Sequence, residues 1–117
     1  MLVRLAALFG FLSVALGAFG AHALDAKLTP EGQDWWHTAT LYALPHAAAA
    51  LAAGLSNRGG NIARGGWLLF IGALIFSATL YAMALGAPRW LGAVTPLGGV
   101  GMLSGWALIA LGARRVH

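Results

Sequence analysis

Residues 65–88 read GGWLLFIGALIFSATLYAMALGAP and residues 90–113 read WLGAVTPLGGVGMLSGWALIALGA, two runs of 24 residues with no Asp, Glu, Lys or Arg, separated only by Arg89. At about 1.5 Å of rise per residue, each run makes a helix of roughly 36 Å, enough to cross a hydrocarbon core of about 30 Å. Working outward, a third apolar run covers about Leu5–Leu24. A fourth, richer in alanine and interrupted by His37 and His46, covers about Trp36–Leu55. The reading is a single all-α domain, residues 1–117, built as an integral membrane antiparallel four-helix bundle with spans at about 5–24, 36–55, 67–85 and 91–113.

Composition agrees with this reading. Charged residues are 9% of the 117 and mean hydropathy is +0.78, whereas a soluble domain carries about 25% charged residues. Four spans with short loops consume the length, so a soluble catalytic domain has no room and no enzymatic activity is expected. The net charge of +4 comes from basic residues scattered singly or in pairs, which forms no nucleic-acid face. Such charges orient helices and meet anionic headgroups instead. Cysteine is absent, and with it thiolate chemistry and disulfides. Arg4 followed by an apolar run and Ala21-His22-Ala23 resembles a secretory signal, but the run is longer than a usual signal core. It is expected to be kept as a span.

Loop chemistry sets the hairpins. Thr29-Pro30-Glu31 reads as a helix start, with Thr29 as N-cap and Pro30 at the first helical position. Residues 56–61 and the short Gly86-Ala87-Pro88-Arg89 read as turns. Lys and Arg number five on the side holding Arg4, Arg58, Arg64, Arg114 and Arg115, against Lys27 and Arg89 on the other. The positive-inside rule then places both termini in the cytoplasm. The tryptophans are expected as interfacial anchors, Trp35, Trp36 and Trp90 outside, Trp67 and Trp106 toward the inside.

Small residues fall in stripes that let helix backbones approach in lipid. Gly10, Ser13, Gly17 and Gly20 line the first span; Gly72 lies on the third and Gly101 and Gly105 on the fourth. Opposite faces are bulky. The stripes serve packing within one chain or between copies, so the expected partners are the lipid bilayer and either a second copy or another membrane protein.

Polar groups at membrane depth are costly and are candidates for function. His22, Tyr42, His46, Ser77, Tyr81 and Thr95 are placed by this topology in the outer half. Tyr42 and His46, like Ser77 and Tyr81, are four apart on one helical face, so the pairs are expected to face each other in one polar cluster. That cluster serves either as a lock between helices or as a site for a small solute, ion or proton. Pro45 and Pro96 are expected to free carbonyls near Leu41 and Gly92. No cofactor or metal is expected: His37 and His46 fall on opposite helix faces, and no close ligand spacing occurs.

Several segments also carry a resemblance. GFLSVALGAFGAHAL (Gly10–Leu24), Trp36-His37-Thr38-Ala39 with Tyr42 and His46, Gly66-Trp67-Leu68, Phe76–Tyr81 and Thr95-Pro96-Leu97-Gly98-Gly99 with Gly105-Trp106 occur in order. Together they resemble the small bacterial inner-membrane family of unknown function related to transmembrane protein 256 (domain of unknown function 423). The resemblance implies a multi-helix membrane protein and brings no catalytic or ligand residues. The chain departs at Ala78-Thr79, where relatives read Gly-Ser, and at Pro45, where an aromatic is usual.

Overall fold

The computed structural model describes residues 1–113, the Asp25 side chain excepted. Arg114 and Arg115, which enter the charge count above, lie outside the described residues. Four long helices form: α1 (Leu2–Phe19), α2 (Pro30–Leu55), α3 (Gly60–Ala84) and α4 (Thr95–Ala113). Each, with its adjoining turns, is long and apolar enough to cross a membrane. α2 begins at Pro30, as Thr29-Pro30-Glu31 predicts. α3 begins at Gly60, ahead of the apolar run at Trp67 and inside the segment read as a turn.

Local chemistry sets the ends. The Thr29 hydroxyl accepts from Gly32 N–H at 2.9 Å, and Pro30 opens α2 where no N–H partner is needed. α3 stops at Gly86, whose φ of 107° suits a residue without Cβ. There Ala87 N–H donates to Ala82 O (2.9 Å) and Gly86 N–H to Met83 O (3.1 Å), a Schellman turn that satisfies the last carbonyls. Pro96, expected to free a carbonyl near Gly92, does not lie in a helix interior. A 3₁₀ turn at Arg89–Ala93 comes first, and Pro96 occupies the first turn of α4, where its missing N–H leaves no gap.

Consecutive helices pack antiparallel, with α2 and α3 in the middle, α1 on α2 and α4 on α3. The three seams use different chemistry. Between α1 and α2, Gly10 faces Ala47, Gly17 faces the Thr40 methyl and Gly54 faces Val3. Between α2 and α3, buried alanines (Ala39, Ala43, Ala50, Ala73) close the gap. Between α3 and α4 the backbones themselves touch. A Cβ on Gly98 would lie 2.5 Å from Gly72 O, one on Gly105 2.8 Å from Gly65 O, and one on Gly101 3.1 Å from Gly72 Cα. In lipid, where burial gives helices little drive to associate, such van der Waals proximity is a main source of cohesion. Phe9, Ala43, Ala47, Ala73 and Met102 join all four helices in one buried cluster.

Candidate functional site

Polar side chains within the bundle meet at three separate places. The first lies near the α1–α2 turn. Trp36, expected as an interfacial anchor, is 2% exposed and donates its indole N–H to Leu16 O at 2.9 Å. Gly20 faces this indole, and from Gly20 to Leu24 the chain widens into a π-helical turn. A side chain competing for a helix carbonyl is a recognised cause of such distortion. Trp36 also meets the Tyr81 ring edge-on at 4.5 Å. The Tyr81 and Thr40 oxygens are 2.5 Å apart, and Thr40 also lies 3.2 Å from Trp36 O. Both donors are used when Tyr81 donates to Thr40 and Thr40 to Trp36 O.

The second place joins α3 to α4, where Thr79 and Thr95 hydroxyls are 2.7 Å apart and Thr95 also donates to Leu91 O at 3.2 Å. The third joins α2 to α4. His46, 8% exposed, has Nδ1 2.7 Å from Tyr42 O and Nε2 3.1 Å from the Trp106 indole nitrogen. These partners fix its chemistry. A carbonyl only accepts and an indole N–H only donates, so the ring is neutral, with its proton on Nδ1 and its lone pair on Nε2. Trp106, another expected anchor, is thereby a partner of His46 while its ring stays exposed on the flank of the bundle.

Tyr42, His46, Phe76, Gly99, Met102, Leu103 and Trp106 line a groove of about 390 Å³ beside that bond. Its walls are rings: Tyr42 stacks on His46 at 6.2 Å and tilts against Phe76 at 4.8 Å, and His46 meets Trp106 edge-on at 5.8 Å. Among the described residues the Tyr42 hydroxyl has no hydrogen-bond partner.

The six residues expected in one cluster are therefore not brought together. Only Tyr42 and His46 share a place. Ser77 is buried and turned back on its own helix, donating to Ala73 O at 2.7 Å. Tyr81 and Thr95 belong to the other two places, and His22 is exposed on the π turn. Helix rotation is the reason: matched depth put Tyr42 and His46 level with Ser77 and Tyr81, while the alanine seam turns these side chains to other neighbours. Of the small residues, Ser13 is buried and donates to Phe9 O (2.7 Å), and Gly10, Gly17, Gly20, Gly72, Gly101 and Gly105 lie against neighbouring helices. Thr79 and Phe76 entered the sequence reading without a bonding or lining role, Met102 was not singled out, and Trp106 was not expected as a bonding partner. Only the Gly105-Trp106 motif hinted at the last. At the loop end, Arg89 pairs with Glu31 and lies over the Trp35 ring at 5.4 Å.

Comparison with known proteins adds the family. Residues 16–99 match the model of the protein family of unknown function DUF423. The chain is 38% identical over 116 residues to the UPF0382 membrane protein SSP2132 of Staphylococcus saprophyticus, covering 97% of both chains. It is 39% identical over 78 residues to the UPF0382 membrane protein YwdK of Bacillus subtilis, an alignment covering 62% of this chain and 63% of the relative. Against the UPF0382 membrane protein SERP0230 of Staphylococcus epidermidis the figures are 40% over 72 residues, 60% and 59%. The matches thus span about three fifths of the length of these last two relatives. No solved structure matches the chain. With four membrane-capable helices and this similarity, the chain belongs to the DUF423 family of membrane proteins of unknown function.

Proposed function

We propose that the protein works by helix–helix association within the plane of the plasma membrane, with a second copy or another membrane protein, and is neither a conduit nor an enzyme. One observation carries this reading: the hydrogen-bonding groups of Trp36, Thr40, Tyr81, His46, Trp106, Thr79 and Thr95 are spent in bonds between neighbouring helices at three separate places. A carrier or channel for a small solute, ion or proton needs polar groups in a continuous file, free to exchange partners. Bonds of this kind fix helix rotation instead, each contributing about 0.6 kcal/mol on average in a membrane. The excess of Lys and Arg on the side of Arg4, Arg58 and Arg64 supports cytoplasmic termini.

The native chain has no cysteine, so single introduced cysteines report both properties cleanly. Disulfide crosslinking in native membranes from Phe11→Cys or Val100→Cys, both on lipid-facing surfaces, is expected to give a discrete dimer from one face only. Proteoliposomes are expected to pass protons and potassium no faster than empty vesicles. Flux that His46→Ala abolishes would overturn the proposal.

A further inference from the structure

The two ends of the bundle handle their charges differently. At the end formed by the α1–α2 and α3–α4 turns, Arg89 pairs with Glu31 and covers the Trp35 ring. The three acidic residues of the chain, Asp25, Glu31 and Asp34, all belong to this end. Arg58 and Arg64 lie at the opposite end, which has no acidic side chain to meet them. Among the described residues the Arg58 guanidinium has no partner, and Arg64 reaches only the neutral Asn61 amide oxygen at 3.3 Å. Both arginines line one cavity of about 470 Å³, together with Gly59, Asn61, Ile62 and Gly112. Packing closes one side of it: Gly112 of α4 lies against Ile62, where a Cβ would meet Cγ1 at 2.8 Å. The other side is open, since a Cβ on Gly59 or Gly60 would meet nothing within 4 Å.

From this asymmetry we propose that the cavity binds the phosphate of an anionic phospholipid, held by Arg58 and Arg64. Charge selects the class of ligand. Two guanidiniums with no carboxylate between them call for an anion, and their planar forks match phosphate oxygens two at a time. Their combined positive charge repels the ammonium of a zwitterionic headgroup, so an anionic lipid is favoured over a neutral one. Depth selects lipid over a dissolved anion. Arg64 immediately precedes the uncharged run that begins at Gly65, which sets it at the level where hydrocarbon gives way to headgroups and their phosphates. Ile62 supplies an apolar wall on the side from which acyl chains would leave. Basic residues beside a membrane ordinarily act as diffuse charge; here two of them share a walled cavity between the α2–α3 turn and the end of α4. The inference goes beyond lateral association and holds equally for a lone copy.

The test is native mass spectrometry of the full chain released from nanodiscs made of equal parts dioleoylphosphatidylcholine and dioleoylphosphatidylglycerol. Preferential retention of phosphatidylglycerol is expected. Arg58→Gln combined with Arg64→Gln is expected to lower that retention at least about tenfold, on the scale of lost hydrogen bonds to a charged group. Arg4→Gln removes a charge from the same end but outside the cavity, and is expected to retain lipid as wild type does. Gly59→Asp sets a carboxylate at the N-cap of α3, where it competes with the phosphate for the arginines while capping the helix. Retention is expected to fall in that variant with no loss of thermal stability, which separates an emptied site from a misfolded chain. Equal retention of the two lipids overturns the proposal, as does a loss in Arg4→Gln as large as in the double variant, or wild-type retention in Gly59→Asp. Displacement of phosphatidylglycerol by millimolar inorganic phosphate also overturns it, by making the occupant a dissolved anion.

Discussion

On one side of α4, Gly98, Gly101 and Gly105 bring its backbone against the backbone of α3, with Gly72 O positioned where a side chain on Gly98 would be. On the other, Gly99 faces open space, and α4 reaches α2 through Met102 and the indole of Trp106, which bonds His46 across a groove. Adjacent glycines thus do opposite things. At Gly98 the missing side chain permits close contact; at Gly99 it leaves room. The difference teaches that a glycine-rich stretch such as Leu97-Gly98-Gly99-Val100-Gly101 is not one feature, because successive residues point about 100° apart around a helix. Cohesion lies on one face, and the other is left for something besides α3.

The comparison breaks most visibly at the seam. Gly98→Leu should cost about 3 kcal/mol or prevent folding, since overpacking is least tolerated where the opposing atoms are backbone; thermal unfolding in mild detergent reads this directly. A Gly98→Leu protein as stable as wild type would mean that α3 and α4 are not in contact there. A smaller effect sharpens the groove side. In a double-mutant cycle of His46→Ala and Trp106→Phe, coupling of about 0.6 kcal/mol and at most about 1.7 is expected from the bond across α2 and α4, measured by denaturant titration of the refolded protein. Zero coupling would leave α4 held by α3 alone. The smallest change is Gly99→Ala, expected to leave stability within about 0.5 kcal/mol or raise it, because helix propensity improves and nothing is displaced. A loss comparable to that of Gly98→Leu would show that both faces of α4 are seams.

Much of the fold was legible because it is written in short-range terms. The uncharged runs, the Thr29 cap with Pro30, and the Gly86 turn each depend on residues close together in the chain. The partners were not legible. Trp35 and Trp36 are neighbours with the same chemistry, yet Trp35 lies beneath Arg89 at the surface while Trp36 is buried with its indole on the Leu16 carbonyl. Depth could be read for Tyr42, His46, Ser77 and Tyr81, but rotation about each helix axis could not. Rotation sends Tyr81 to Thr40 and His46 to Trp106. On α2 the cap marked the helix start that hydropathy did not: the helix begins at Pro30, six residues before the apolar run at Trp36.

By itself the sequence determined that four helices cross a membrane, roughly where they turn, and that each has a face narrow enough for close packing, since solvation of apolar side chains and local backbone preference act through composition and short spacing. Tertiary structure alone decided which small residues close a seam and which leave a groove, which indoles are anchors and which are bonds, and that the expected single polar cluster is three separate locks. The reason is geometric: a few tens of degrees in the rotation of one helix against the next change every long-range partner, and that angle is set by the fit of whole faces rather than by any one residue.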